Sequence, residues 1–343
     1  VVTALLFAVS PLAVHGSLSQ SSVQAMLPFA GVLAVAAIGQ TLVIQQGGLD
    51  LSIPGTFSLG VVLSVSVPGG HDGKLPLALL VVAAVGLTAG LLNGLAVTRL
   101  GITPLVATLG MNGVLVGVEQ QLTNGSINYS ATNNWASFTT SKVASVTVLA
   151  IVALVVIVVV ALLMRRSVWG REFELVGANP RAAGAAGLPV TRYQIGSYMV
   201  AGLTYAMAGA LLAGYLGHPQ IDAGNDYLLP TIAAVVLGGT ALGGGRGSVI
   251  ATAGGVLFLS QLDQMLLVLG TSQALQYVIQ GAIVALGMGL RTVRIRNSRA
   301  PRRKRPGQPP GNSAEPNDQP LGSAAVAKES VVSTYKTTTV RGV

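Results

Sequence analysis

Long stretches of this chain contain no charge at all. Leu75 to Thr98, Val143 to Met164, Tyr193 to Ile221 and Gln264 to Leu290 are each uncharged and mostly apolar. A helix needs about 20 apolar residues to cross the hydrocarbon core of a bilayer, and each of these runs is long enough. Further uncharged blocks lie at 23–45, 52–67, 104–118, 228–245 and 247–262. Those at 104–118 and 247–262 reach spanning length once Glu119 and Asp263 are accepted near helix ends. The first apolar run, Val1 to Val14, is too short to cross. It starts with neither methionine nor a basic flank, so it reads as a truncated first helix rather than a signal peptide. The expected fold is an all-α, polytopic transmembrane helical bundle of about ten crossings.

Composition excludes the alternatives. Only 9% of the 343 residues are charged, against about a quarter in soluble domains, so a soluble enzyme would lack the polar surface to coat its core. With no cysteine there can be neither a disulfide nor a thiolate metal site. His15, His71 and His218 lie far apart without ligand spacing, so no metal site is expected. The net charge of +9 is unevenly placed: residues 1–290 hold 9 Lys/Arg and 8 Asp/Glu, whereas residues 291–343 hold 11 and 3. Residues 1–290 therefore form the membrane domain and 291–343 a basic tail. The tail opens with eight basic and no acidic residues from Arg291 to Arg305, then turns rich in Pro, Ser and Gly. Such a segment is expected to be disordered, its basic start suited to anionic lipid rather than to nucleic acid.

Basic residues set the orientation. With connections placed alternately on two sides, one side receives Arg99, Arg165, Arg166, Arg171, Arg181, Arg192, Arg246 and the tail, and the other Lys74 and Lys142. The richer side is the cytoplasmic one, which puts the C-terminus in the cytoplasm. Gly86, Gly90 and Gly94 repeat every four residues, as do Gly202, Ala206, Ala210 and Gly214. Such stripes let helix backbones approach closely in lipid and are read here as packing.

The longest connection on the basic side runs from Arg165 to Arg192. Within it Asn179-Pro180 can begin a short helix, Asn as cap and Pro in the first turn. Gly187 supplies a stop before Pro189. The segment is either a surface connector or a docking knob for a cytoplasmic partner. In Gly47-Gly48-Leu49-Asp50-Leu51-Ser52 the glycines permit a tight turn and Asp50 or Ser52 can cap the next helix; a gating role at the cytoplasmic mouth is the sharper alternative. The Gly238–Gly247 stretch lacks the Lys-Ser/Thr of a phosphate loop, so nucleotide chemistry is expected elsewhere, and Arg246 sits in a glycine turn at the surface. Polar residues within spanning segments, namely Asn93, Thr108, Asn112, Gln120, Asp263 and Gln264, either bond between helices or line a water-filled path. Glu119 and Asp263 fall near the outer ends, where they can reach water. The polar stretch 124–142, with Tyr129, Trp135 and Phe138, reads as an outer connector or a platform for an external protein.

Four blocks carry a resemblance: GQTLVIQQGGLDLSIPG (39–55), LLNGLAVTRLGITPLVATLGMNGVLVG (91–117), LVGANPRAAGAAGLPV (175–190) and AAVVLGGTALGGGRGSVIAT (233–252). Over residues 25–290 the chain resembles the permease subunit of ribose-type, carbohydrate-uptake ABC importers. Pro54 stands where the family usually has glycine, and Asp263 where it commonly has asparagine. The resemblance implies a transport subunit rather than an enzyme, in the bacterial plasma (inner) membrane. It implies two such permeases, as a homodimer or with a close paralogue, two ATP-hydrolysing subunits that carry the ATP and Mg, and an extracytoplasmic sugar-binding protein. It maps the family's coupling helix onto Asn179, Pro180, Arg181, Ala182, Ala183, Gly184 and Gly187, with Gly47, Gly48, Asp50, Ser52 and Arg246 at the cytoplasmic mouth. Rival readings are an ABC permease for branched-chain amino acids or another small solute, an ion-coupled secondary transporter, and a passive channel.

Overall fold

The computed structural model describes residues 2–218, 220–272 and 274–282. The basic tail and the end of the run Gln264–Leu290 lie outside the described residues. The chain is mostly helical. In order it forms α1 (Val2–Ala13), α2 (Gln20–Gln45), α3 (Ile53–Ser66), α4 (Leu75–Thr98), α5 (Pro104–Thr123) and α6 (Asn133–Thr140). A short hairpin, β1 (Lys142–Val143) with β2 (Val146–Thr147), leads into α7 (Val148–Arg166), α8 (Val168–Ala178) and α9 (Pro180–Ala185). The long α10 (Val190–Leu216), α11 (Asn225–Leu237) and α12 (Val249–Val268) follow.

Among the described residues, five helices are long and apolar enough to cross a membrane: α2, α4 with the turn before it, α7, α10 and α12. The expected ten crossings were counted from uncharged runs, and several runs are interrupted. The block at 52–67 forms an α3 of only 14 residues, starting directly after the Asp50–Ser52 turn. The block at 228–245 forms an α11 of 13 residues, closed by the glycine-rich loop after Leu237. The run from Gln264 is divided between the end of α12 and helical backbone at 274–282, with Gly270 at φ +68 between them.

The centre of the bundle is α10, packed against α4, α2 and α3. From Ala30 to Gln45 every residue of α2 is buried, as is every residue of α3 from Ile53 to Val65. Helices apolar on all sides belong in such interiors. The four-residue stripes bring backbones into contact. A Cβ added to Gly90 would overlap the Tyr198 carbonyl and stand 2.7 Å from Met199 Cα, and one on Gly202 would overlap the Gly86 carbonyl. Likewise a Cβ on Gly60 would overlap the Ala206 carbonyl.

At 27 residues, α10 is about 40 Å long at a rise of 1.5 Å per residue. Its N-terminus is joined to α9 by the four residues 186–189. At its far end Trp135 Nε1 donates to the Ala210 carbonyl (2.9 Å) and the indole lies against Gly214. Within the stretch 124–142, residues 133–140 fold as α6, whose buried Trp135 and Thr139 close that end of α10. The Asn134 amide donates to Asp72 Oδ1 (2.9 Å) and Lys142 Nζ to Gln24 Oε1 (3.0 Å), tying the starts of α2 and α4 to the same end. Lys74 and Lys142 lie there. Arg99, Arg165, Arg166, Arg171, Arg181, Arg192 and Arg246 lie at the end occupied by α8, α9 and the start of α10.

Candidate functional site

The segment between α7 and α10 is fastened to the bundle by one face. Ser167 caps α8 by accepting from the Gly170 amide (2.9 Å). Phe173 and Val176 then bury against Leu42, Met164, Ala183 and Tyr193. Trp169 packs on Phe173 and Tyr193 at ring distances of 5.2 and 5.9 Å. The Tyr193 hydroxyl donates to Glu172 Oε2, and Gln46 Nε2 to the Phe173 carbonyl (2.8 Å). On this platform α9 stands as a separate turn. Asn179 Oδ1 accepts from the Ala182 amide (3.1 Å), Pro180 opens the helix, and Gly187 adopts φ +85. Leu188 N donates to Ala183 O and Gly187 N to Gly184 O, both 3.0 Å, the pair of bonds that closes a helix through a left-handed residue. Only Ala183 is buried; Asn179, Pro180, Arg181, Ala182, Gly184 and Gly187 are exposed.

The glycine-rich loop after α11 meets this platform from the other side. Gly244 and Gly245 take φ +88 and +83, and Gly245 N donates to the Gln45 carbonyl (2.8 Å). A Cβ on Gly177 would overlap that same carbonyl, and one on Gly244 would stand 3.1 Å from Gly47 N. The end of α2, the end of α8 and the loop around Arg246 are therefore one assembly, with the Arg246 side chain exposed.

Asp50 and Ser52 lie in the connection from α2 to α3, outside both helices. Asp50 Oδ1 accepts from the Ser52 amide (2.9 Å) and hydroxyl (2.6 Å), and Asn93 Nδ2 donates to Ser52 Oγ (2.9 Å). Burial pushes the Asp50 carboxyl up to about 6, against the opposing effect of the Ser52 bonds. The side chain of Ser52 does not cap α3, contrary to expectation: its hydroxyl donates to Asp50 Oδ1 and its oxygen accepts from Asn93 Nδ2. α5 holds the start of α3 instead: Gly55 N in its first turn donates to Asn112 Oδ1 (2.8 Å), and Leu51 N just before it to Thr108 Oγ1 (2.9 Å).

The six polar residues expected along a path thus separate. Asn93, Thr108 and Asn112 surround the α2–α3 connection. Gln120 is exposed on another face of α5. Asp263 and Gln264 line a cleft of about 470 Å³ at the opposite end of the bundle. Glu119, expected to reach water, is fully buried, its Oε1 accepting from the Asp222 amide (3.2 Å). Sequence reading missed Gln280, which donates to Asp263 Oδ1 (2.6 Å), and Tyr205, which donates to the buried Gln40 (2.7 Å). Only pairing across the bundle reveals either.

Five helices long and apolar enough to cross a membrane, among the described residues, place the chain in the class of multi-pass membrane proteins. The family described as branched-chain amino acid transport system / permease component matches residues 22–287, and the chain belongs to this family of ABC-importer permeases. It is similar to the ribose import permease protein of Bacillus subtilis (strain 168), 34% identical over 74% of this chain and 79% of that protein. It is 32% identical to an autoinducer 2 import system permease protein of Yersinia enterocolitica, over 74% of this chain and 78% of the relative. It is 30% identical to the galactose/methyl galactoside import permease protein of Haemophilus influenzae, over 77% and 84%. The resemblance to ribose-type permeases is borne out by these relatives. No solved structure matches the chain.

Proposed function

We propose that this chain is the membrane-spanning permease subunit of an ATP-driven importer, passing a ribose-like monosaccharide or related sugar received from an extracytoplasmic binding protein. The observation that carries the reading is α9. It is exposed, capped at both ends by its own residues, and joined by the four residues 186–189 to the N-terminus of a helix of about 40 Å that reaches the other end of the bundle. A displacement of α9 by a docked ATPase reaches α10 through the connection 186–189, where Leu188 N is bonded to Ala183 O. Backbone contact along Gly86, Gly90 and Gly202 then passes it to α4. The arginines gathered at the α9 end make that end cytoplasmic, in the bacterial inner membrane, with the tail on the same side. In this reading α1, α3, α5, α11 and the segment after Val268 complete about ten membrane-embedded helices.

The chain itself carries no nucleotide loop, so ATP and Mg bind on the partner. A second copy of the chain completes the path, which opens alternately outward and inward. Because only differential affinity for two states can drive that exchange, the permease binds solute weakly. Uptake in proteoliposomes containing permease, ATPase and binding protein tests the reading: sugar should accumulate only with ATP hydrolysis. Uptake that survives omission of ATP, or that collapses with an ionophore, would refute it. In the same assay Arg181→Glu should lose ATPase co-purification and transport; retention of both removes Arg181 from the interface.

A branched-chain amino acid is the second reading, favoured by the description of the family. Its carboxylate would be met by a cation or by the backbone N–H groups of a helix N-terminus. No Lys, Arg or His is among the described residues lining the 470 Å³ cleft, so sugar is preferred, and labelled leucine against labelled ribose decides between them.

A further inference from the structure

The cleft remote from α9 is enclosed by the first half of α2, the end of α10, α11, α12 and residues 276–280. Its volume of about 470 Å³ falls within the range of small-molecule sites, about 300–1,000 Å³. Met26, Leu33 and Leu212 form an apolar floor, joined by the buried Ser260. Phe29, Tyr227 and Tyr277 supply aromatic walls. Tyr227 is held in place by stacking on Phe57, ring centroids 4.4 Å apart, and Phe29 by its edge contact with Tyr215 at 5.7 Å.

The polar side chains of this cleft are two carboxylates, Asp226 and Asp263, beside amides and hydroxyls that both donate and accept. Asp263 Oδ1 accepts from Gln280 Nε2 (2.6 Å) and Asp226 Oδ1 from the Tyr277 hydroxyl, which leaves each carboxylate a second oxygen. Gln280 is 6% exposed, and its Oε1 has no partner among the described residues. A buried amide oxygen without a partner costs free energy unless a donor reaches it. Several acceptors converging beside rigid aromatic faces, with no cation on the described lining, suit a solute that carries many donors and no negative charge. Hydroxyls are such donors, and the C–H face of a sugar ring suits the aromatic wall.

We propose that this cleft is a binding site for a neutral polyhydroxylated solute, built within a single copy of the chain from Asp226, Asp263, Gln280 and Tyr227. The choice of solute rests on the sugar-import reading above. The site itself does not need a second copy.

The chain has no cysteine, which makes a labelling test clean. Ala223 lines the cleft without contributing a polar side chain. Full-length Ala223→Cys chain in lipid nanodiscs is reacted with a hydrophilic maleimide in the presence of D-ribose, D-galactose, L-leucine or choline. At a sugar concentration twice Kd, protection should slow labelling about threefold by mass action. Ser126→Cys, in an exposed turn, should be unaffected. Adding Asp263→Leu or Gln280→Leu to Ala223→Cys should remove the protection. Where a variant fails to fold, the unsubstituted chain serves: ribose should raise its Tm, and leucine and choline should not. Labelling of the introduced thiol that no sugar slows, equal protection by leucine or choline, or protection that survives Asp263→Leu would overturn the site. Continued ATP-driven sugar uptake alongside such a failure would sink the cleft alone, whereas loss of the ATP requirement would sink the importer reading.

Discussion

The contact between α4 and α10 can be tested with one helix and two glycines. Gly196 and Gly202 both lie inside α10. A Cβ built on Gly196 meets nothing within 4 Å, whereas one on Gly202 would overlap the Gly86 carbonyl and stand 3.0 Å from Gly90 N. Gly→Ala inside a helix gains about 1 kcal/mol from backbone propensity, and both substitutions receive that gain. Only Gly202→Ala must also push two backbones apart, an overpacking cost of about 1–3 kcal/mol. The two variants should therefore differ by about 1–3 kcal/mol in unfolding free energy, with Gly196→Ala at or above the unsubstituted chain. Unfolding of the purified chain by SDS in mixed micelles, followed by circular dichroism, measures the difference. If Gly202→Ala proves as stable as Gly196→Ala, the helices are not in backbone contact and the stripe is not a packing device.

Three further outcomes are expected. Asn179→Ala removes the α9 cap, which costs about 1 kcal/mol locally; amide hydrogen exchange at Ala182 should rise while exchange in α10 is unchanged. Trp135→Phe deletes the indole bond to Ala210, a loss of about 1 kcal/mol. It should lower Tm without weakening ATPase co-purification, since the site lies at the other end of α10. Asp50 has a folded pKa raised from 3.8 to about 6, so the folded chain holds that proton more tightly than the unfolded chain. Stability should then fall as pH rises through this window, and Asp50→Asn should flatten the profile; parallel pH profiles for variant and parent would contradict the burial argument.

The legible parts of the sequence were those whose chemistry is local. Asn179-Pro180 starts α9 and Gly187 stops it through bonds between residues three to five apart, so the helix could be read directly. The four-residue glycine stripes likewise carry their geometry in their spacing. The bonds that hold the start of α3 and its approach could not be read, because they join Gly55 with Asn112 and Leu51 with Thr108, each pair 57 positions apart. Hydropathy identified apolar segments but could not see where Gly47-Gly48 and the loop after Leu237 break them into short helices. In α6, Trp135 and Thr139 recur at i and i+4 and face the core, a signal masked by the polar residues around them.

The polar residues of the bundle show why a polarity signal in a membrane segment is ambiguous. Asn112 and Thr108 look from sequence no different from Asp263 and Gln264. In the folded chain the first pair closes backbone amides of α3 and its approach, so their polarity is used up within the fold. Removing either would leave a buried N–H unpaired, at about 1–3 kcal/mol, and any loss of transport would report on α3 rather than on solute. Asp263 differs because its one bonded oxygen is held by a side chain, Gln280, and both residues line open volume. A polar membrane residue is therefore a candidate for solute contact only when it lines open volume and keeps acceptors that no backbone amide already claims. By that criterion the cleft remote from α9 is where solute contact should be sought, and Asn93, Thr108 and Asn112 belong to the closed hydrogen-bonding of the α2–α3 connection.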